Sequence, residues 1–171
     1  MTTTLLWLRQ DLRLADQPAL QAAIERGGSI IPVFIWSPEE EGEWQPGAAS
    51  RWWLHQSLGK LSAAIEKRGS KLILRRATDS LACLRELLAE TGATAVYWGR
   101  RYEPLIIARD AHIKNELREA GIDDRDDLGP GEQVGKDPVT RRERTFGEED
   151  TMAVGHREFE VEGVGHGPGE S

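Results

Sequence analysis

The sequence has a single cysteine, no long apolar run and no signal peptide, and each absence excludes a class of protein. Cys83 has no second cysteine with which to form an intramolecular disulfide. No apolar run approaches the ~20 residues that span a bilayer, and the amino terminus lacks the basic, apolar and small-residue pattern of a signal peptide. We therefore expect a cytoplasmic protein that makes no membrane contact.

The sequence also lacks the motifs of common phosphate and metal sites. Its first predicted strand is followed by residues 9–13, RQDLR, rather than by G-x-G-x-x-G or G-x-x-x-x-G-K-[ST]. This argues against a standard dinucleotide-binding domain and against a phosphate-loop NTPase. The four histidines do not stand at metal-ligand spacing. Cys83 lies among apolar neighbours without a candidate base, so we predict a core role for it, no metal site and no catalytic residue.

Charge is unevenly distributed along the chain. The whole sequence has a net charge of −7, yet residues 1–122 hold 16 Lys and Arg against 15 Asp and Glu. The remaining residues, 123–171, hold 6 against 14 and contain nine of the eighteen glycines but only two aromatics. A segment of this composition buries too little apolar surface to offset the entropy of ordering it. We therefore predict a disordered tail over residues 123–171.

What residues 1–122 do contain is an alternation of apolar and amphipathic segments. The predicted strands lie at residues 4–8, 29–36, 71–75 and 93–98, and a segment with the apolar spacing of a helix follows each one. Four strand-helix units with short connections predict a Rossmann-like α/β fold, a parallel sheet with helices on both faces. Ligands of such sheets bind beyond the carboxyl ends of the strands, so the residues after each strand are the candidate site.

The charged residues after the first strand have two interpretations. Arg9, Asp11, Arg13 and Asp16 alternate in sign, which is typical of ion pairs that fix a loop, with Asp16 as the N-cap of the first helix. The alternative is that one of the arginines faces an anionic or polar ligand. The residue pattern favours the first interpretation and leaves the second open.

Aromatic and acidic side chains at other strand ends are also open to two interpretations. Trp36, Trp52, Trp53 and Trp98 are most simply core residues. However, Trp36 and Trp98 each end a predicted strand, where a ring can also stack on a flat ligand. Glu103 follows the fourth strand and could accept hydrogen bonds from the N–H groups of a heterocycle. It could equally stabilise the start of the helix that follows.

Five short motifs in one order resemble the amino-terminal, antenna-binding domain of the DNA photolyase and cryptochrome family. They lie within residues 4–122 and are, in chain order, WLRQDLR with Asp16 and Ala19-Leu20, the strand PVFI, Gly47 with SRWWL and Ser57-Leu58, YEP, and Arg109-Asp110. Two positions depart from the family's usual residues, because Gln17 and Gly99 each stand where an asparagine is usual. The second departure removes a side-chain donor and acceptor near the expected antenna pocket.

The resemblance implies a set of cofactors and contacts. In the family the α/β domain binds an antenna chromophore, and a separate helical domain holds FAD and damaged DNA for light-driven repair of cyclobutane pyrimidine dimers. By resemblance the antenna is methenyltetrahydrofolate, an 8-hydroxydeazaflavin or a flavin. The residues that the resemblance assigns to it in this chain are Trp36, Arg51, Gly99, Arg100 and Glu103.

The resemblance ends at Ile122, where family members continue into a fifth strand, a linker and the helical domain. Residues 123–171 resemble none of these, so we expect a truncated or frame-shifted member without the FAD-binding domain. Such a fragment would bind an antenna at most, would not contact DNA and would not repair it alone. The alternative is a non-catalytic nucleotide-binding or interaction module, such as a cryptochrome-like photoreceptor fragment. A missing fifth strand would leave a sheet edge exposed to self-association.

Overall fold

The computed structural model describes residues 2–125, which form a five-stranded parallel sheet with flanking helices. In chain order the elements are β1 (Thr3–Leu8), α1 (Pro18–Arg26), β2 (Ser29–Trp36), a 3₁₀ segment (Pro38–Trp44), α2 (Ala48–Glu66), β3 (Ile73–Arg76), α3 (Ser80–Thr91), β4 (Ala95–Trp98), α4 (Pro104–Glu119) and β5 (Asp123–Arg125). The predicted α/β fold is therefore confirmed. The predicted disorder of residues 126–171 lies outside the described residues.

The strand order β3-β2-β1-β4-β5 places β1 at the centre of the sheet. β1 pairs in parallel with β2 on one side, where Thr3 lies beside Ser29, and with β4 on the other, where Trp7 lies beside Trp98. The chain moves outward from β1 to β3 and then crosses back to start β4 on the opposite side. The order therefore reverses between β1 and β4, and ligands of open sheets bind at the carboxyl side of such a point.

The core lies on both faces of the sheet. Leu5 and Trp7 pack with residues of α3 and α4, whereas Leu6 and Leu8 pack with residues of α1 and α2. A strand that is buried on both faces needs apolar residues at consecutive positions, which explains the pattern of β1. Cys83 belongs to the first cluster, and burial raises the pKa of its thiol to about 11. Its predicted role as a core residue is therefore confirmed.

Helix α1 begins at a different cap from the predicted one. The N-cap is Gln17 rather than Asp16, and its side-chain oxygen accepts a hydrogen bond from the backbone N–H of Leu20. Asp16 instead has a positive φ of 49°, a conformation that aspartate adopts more readily than most residues. Gln17 also donates from Nε2 to Oδ2 of Asp11 at 3.0 Å. One buried glutamine thus joins the first loop to the helix.

The sequence predicted that the chain leaves the sheet at Ile122, but it does not. Asp123–Arg125 form β5, which pairs in parallel with residues 95–97 of β4. The hydroxyl of Tyr97 donates to Oδ2 of Asp123 at 2.7 Å, which attaches the short strand to its neighbour. The prediction was wrong for these three residues because consecutive charged side chains carry no apolar pattern. Within the described part of the chain, β3 and β5 are therefore the sheet edges, and β4 is not.

Candidate functional site

A cleft of about 710 Å³ opens at the carboxyl ends of the central strands. The loops that follow β1, β2 and β4 line it, together with the 3₁₀ segment and the first half of α2. It therefore lies where the strand order reverses, the position at which ligands bind in open α/β sheets. Its volume is typical of a site for a small organic molecule.

Tryptophan side chains form much of the cleft wall. Trp36 ends β2, Trp44 ends the 3₁₀ segment and Trp53 lies in α2. Trp36 is partly buried, whereas Trp44 is 82% and Trp53 is 65% exposed. Indole rings that remain open to solvent beside a cleft are available to stack on a flat ligand.

The exposure of the paired tryptophans in α2 follows from how this helix packs. Its buried residues are Leu61 and Ile65, both in its second half. Trp52 and Trp53 lie in the first half, where both rings are more than half exposed and their centroids are 5.0 Å apart. Their predicted core role is therefore wrong. Trp98, in contrast, is fully buried, so the core interpretation is confirmed for that ring and the stacking alternative is not.

The floor of the cleft contains a buried ion pair. Arg9, the first residue after β1, is 7% exposed and donates from Nη1 to Oδ2 of Asp110 in α4 at 2.7 Å. It also donates to the carbonyl oxygen of Gly99 and lies 5.0 Å from the centroid of the Trp7 ring. Burial lowers the pKa of Arg9, although the carboxylate of Asp110 opposes this shift. Arg9 is therefore an ion-pair residue, as the favoured interpretation predicted, but its partner lies in α4 rather than in the loop.

Three successive glutamates attach the 3₁₀ segment to the rest of the domain. Each one pairs with an arginine from a different part of the chain. The pairs are Glu39 with Arg76, Glu40 with Arg109 and Glu41 with Arg101, at N–O distances of 3.3, 3.0 and 2.6 Å. The partners lie 37 to 69 positions away in the sequence. The local sequence of residues 38–44 therefore indicates only a loop, although these long-range ion pairs hold the segment in position.

Arg101 and Glu103 form the polar end of the cleft. Arg101 makes a bidentate pair with Glu41, and its Nη2 donates to Oε1 of Glu103 at 2.9 Å. Gln10, from the loop after β1, donates to the same oxygen at 3.3 Å. The bond from Arg101 is the main cause that lowers the pKa of Glu103 to about 2, although burial opposes it. Burial also acts to lower the pKa of Arg101, but the bonds to Glu41 and Glu103 outweigh it and raise that pKa.

The structure brings two of the five predicted contact residues into the cleft. Trp36 and Glu103 line it. Glu103 also occupies the N-cap position of α4, as the alternative predicted, although its side chain makes no capping hydrogen bond. Arg51, in the first turn of α2, and Gly99 and Arg100, after β4, are not among the lining residues. Contacts from these three remain predictions.

The side chains of the cleft that sequence reasoning missed include Trp44, Glu41 and Arg101. All three lie outside the segments with a helix or strand period. Two signals were available nonetheless. Trp44 is a large aromatic residue in a stretch rich in glutamate, glycine and proline, and Arg101 follows a strand at the ligand side of the sheet.

The charge of the cleft argues against a site for a phosphate group. Its arginines Arg9, Arg101 and Arg109 are each paired with a carboxylate, so they offer little uncompensated positive charge to an anion. Among residues 2–125, no group of three or more His, Cys, Asp or Glu side chains could hold a metal ion. In the same range, the helices are too short or too polar to cross a membrane.

Known proteins match the described domain over nearly its whole length. The DNA photolyase family model matches residues 4–125. The deoxyribodipyrimidine photo-lyase of Agrobacterium fabrum is 46% identical over 118 residues, which are 69% of this chain and 24% of that protein. Cryptochrome-1 of Arabidopsis thaliana is 44% identical over 119 residues, which are 70% of this chain and 17% of that protein. The chain thus spans about a quarter or less of the length of these relatives.

Solved structures share the fold. A bacterial class III photolyase from Agrobacterium tumefaciens has a TM-score of 0.67 at 44% identity, over 73% of this chain and 25% of that one. An archaeal photolyase from Sulfolobus tokodaii, described with two FAD molecules and an implied light-harvesting cofactor, has a TM-score of 0.61 at 25% identity, over 72% and 28%. Since the family model matches more than half of the chain, this chain belongs to the DNA photolyase family, with residues 4–125 as the amino-terminal domain.

Proposed function

We propose that the described residues form an antenna domain, which binds a flat, light-absorbing heterocycle in the cleft. The observation that carries this proposal is the presence, in one cleft, of solvent-exposed indole rings and an ionised glutamate. Trp36, Trp44 and Trp53 supply surfaces for stacking. Glu103 supplies an acceptor for N–H groups at the edge of the ring system. The candidate ligands are a folate, a deazaflavin and a flavin.

We further propose that the domain serves a light-driven flavoprotein. In this scheme the antenna passes excitation energy to FAD, which a helical domain holds and which carries out the electron transfer. Relatives named as photo-lyases and as cryptochromes match the domain about equally well, so repair of pyrimidine dimers and photoreception are both compatible with it. We expect the 171-residue chain alone not to split thymine dimers under blue light, because in this scheme the helical domain holds the catalytic FAD. Contact with DNA belongs to the helical domain in the same scheme.

The test is the visible absorption of the purified chain, followed by titration with methenyltetrahydrofolate, an 8-hydroxydeazaflavin and riboflavin. Binding should quench tryptophan emission, because indole rings line the cleft. The complex should also keep its colour through gel filtration. The absence of both colour and quenching with all three chromophores would contradict the proposal.

Trp44→Ala and Trp52→Ala form a matched pair for this experiment. Both rings are largely exposed, but Trp44 lines the cleft and Trp52 does not. The Trp44→Ala variant loses a stacking surface, so it should bind the chromophore about 1.4 kcal/mol more weakly, which is a tenfold higher Kd. Trp52→Ala removes only a ring that packs on Trp53, so its effect on Kd should be much smaller. Equal losses in the two variants would indicate that stacking in the cleft is not what binds the chromophore.

A second candidate function is that of an interaction module, and one observation favours it. Tyr102, Leu105 and Ile107 are each at least half exposed around the start of α4. Large apolar side chains exposed close together in the chain are a feature of some protein contacts. An interaction module would bind none of the three chromophores and would show concentration-dependent sedimentation or a dedicated partner. Chromophore binding by a chain that sediments as a monomer would favour the antenna function instead.

A further inference from the structure

Arg101 joins two of the segments that line the cleft. Its Nη1 and Nη2 donate to Glu41 of the 3₁₀ segment at 2.6 and 3.0 Å, and its Nη2 donates to Glu103 at 2.9 Å. The side chain of Arg101 is 11% exposed, whereas that of Glu103 is 48% exposed. A largely buried guanidinium therefore holds a carboxylate that remains accessible to a ligand.

The donors of Arg101 are almost fully used by these two carboxylates. A guanidinium has five N–H donors, and Nε, Nη1 and Nη2 all point at Glu41 or Glu103. Arg101 therefore has little capacity to bind an anionic ligand itself, although it lines the cleft. The cluster of one cation and two carboxylates has a net charge of −1 at neutral pH, and Glu103 is its most exposed member.

The oxygens of Glu103 are unequally used. Oε1 accepts from Arg101 and from Gln10, at 2.9 and 3.3 Å. Among the described contacts, Oε2 accepts a 3.3 Å bond from Nε of Arg101. Since a carboxylate oxygen has two lone pairs, Oε2 keeps acceptor capacity for a further donor.

We propose that Arg101 is a positioning residue of the chromophore site, which holds Glu103 as a carboxylate whose Oε2 accepts from an N–H group of the bound heterocycle. The inference rests on the proposed function of the cleft and adds a selection rule to it. An ionised carboxylate accepts from N–H groups and repels carbonyl and phosphate oxygens. The cleft therefore selects, at this point, a ring edge that carries N–H donors.

The groups that face Glu103 come from three elements. Arg101, on the same loop, is the cation of the set and the main cause of the lowered pKa of Glu103. Gln10, from the loop after β1, donates its amide, and Glu41 of the 3₁₀ segment lies on the other side of the guanidinium. Without Arg101, burial and the charge of Glu41 both disfavour the carboxylate. The pKa of Glu103 should then return to its ordinary value of 4.5 or rise above it.

A purely structural role for Arg101 predicts a different result. If Arg101 only tied the 3₁₀ segment to the loop after β4, then Arg101→Gln and Glu41→Gln would damage the cleft to the same extent. Neither substitution would make binding depend on pH. Glu41→Gln is therefore the matched control, because it weakens the same tie and leaves the bond from Arg101 to Glu103 in place.

The first measurement needs no ligand. The carboxyl carbon of Glu103 is followed by NMR against pH in the 171-residue chain, and its signal is assigned by its loss in Glu103→Gln. Glu103 should stay ionised to about pH 3 in the unmodified chain and in Glu41→Gln. The titration midpoint of Glu103 should rise above about pH 4 in Arg101→Gln. Arg101→Lys should have a midpoint between those of Arg101→Gln and the unmodified chain. An unchanged midpoint in Arg101→Gln would overturn the inference.

The second measurement follows riboflavin binding by tryptophan quenching between pH 4 and pH 7, with methenyltetrahydrofolate as a second probe. Riboflavin is neutral across this range, so a change in Kd reports on the protein. The Kd should be nearly constant for the unmodified chain and for Glu41→Gln, and should rise about fivefold at the acid end for Arg101→Gln. Equal losses of affinity without pH dependence in both variants would show a structural tie and overturn the inference. If the unmodified chain binds neither probe, the proposed function fails, and the carboxyl titration alone decides whether Arg101 controls Glu103.

Discussion

The backbone of Gly99 runs against the carboxylate of Asp11. A Cβ atom at position 99 would lie 3.0 Å from Oδ2 of Asp11, which is tighter than ordinary van der Waals contact. That oxygen is not free to move away without cost, because Gln17 donates to it at 3.0 Å. Gly99, which stands where the family usually has an asparagine, therefore suits this position because the carboxylate of Asp11 leaves little room for a side chain.

We expect Gly99→Ala to destabilise the domain by about 1 kcal/mol, since the added methyl group overpacks a site next to a hydrogen-bonded carboxylate. Gly59→Ala, in the interior of α2 with nothing within 4 Å of its Cβ position, should instead stabilise the domain by about 0.5 to 1 kcal/mol. Urea unfolding of the two variants and the parent chain measures both effects. A Gly99→Ala variant as stable as the parent would show that Asp11 has room to move.

Single residues of the cleft differ in how well the sequence reveals them. Trp36 and Glu103 could be predicted because a residue just after a parallel strand lies at the ligand edge of the sheet. The pairing of Glu41 with Arg101 could not be predicted, because it joins positions 60 apart in the chain. No periodicity encodes such a contact. The exposure of Trp53 also escaped prediction, because it depends on which half of α2 meets the sheet.

At the scale of elements, one buried pair attaches α4 to the centre of the sheet. Arg9 follows β1, Asp110 lies in α4, and their side chains are 6% and 7% exposed. Asp110 also accepts from Arg109 at 2.9 Å. The carboxylate of Asp110 thus compensates the positive charge of Arg9, which is buried away from water.

Asp110→Ala should cost about 3 to 5 kcal/mol, because it leaves the buried guanidinium of Arg9 without its partner. Arg85→Ala is the control: Arg85 pairs with Glu116 between α3 and α4, but its side chain is 56% exposed, and the loss should stay under about 1 kcal/mol. Chemical unfolding of both variants measures the difference. Similar small losses would mean that water or rearrangement compensates Arg9 after the substitution.

The elements themselves were predictable to the extent that they bury apolar side chains. β1, β2 and β4 have buried residues at consecutive positions, and α1, α3 and α4 each bury several side chains. β5 has neither, since two of its three residues are exposed, and the backbone of β4 rather than its own sequence specifies it. The 3₁₀ segment has no buried residue. Long-range ion pairs define its position, which explains why its sequence indicated only a loop.

For the molecule as a whole, the placement of β5 changes where association through the sheet is expected. The sequence predicted that a missing fifth strand would leave an exposed sheet edge, but β5 is present, and in the described residues the edges are β3 and β5. β3 has four residues, and Leu74 within it is 42% exposed. Charged side chains on a short edge strand oppose pairing with another chain. Arg76, with a side chain that is 73% exposed, is such a residue.

Arg76→Val should therefore increase self-association, because it removes a charge from the β3 edge and extends the exposed apolar surface next to Leu74. Arg85→Val makes the same chemical change on the exposed side of α3, away from a sheet edge, and should not alter the oligomeric state. Sedimentation velocity over a wide concentration range distinguishes the two variants. If both associate equally, the cause is a loss of net charge or of solubility; if neither associates, Arg76 does not protect the β3 edge. Association of Arg76→Val alone would show that the charge of Arg76 prevents the β3 edge from pairing with another copy of the chain.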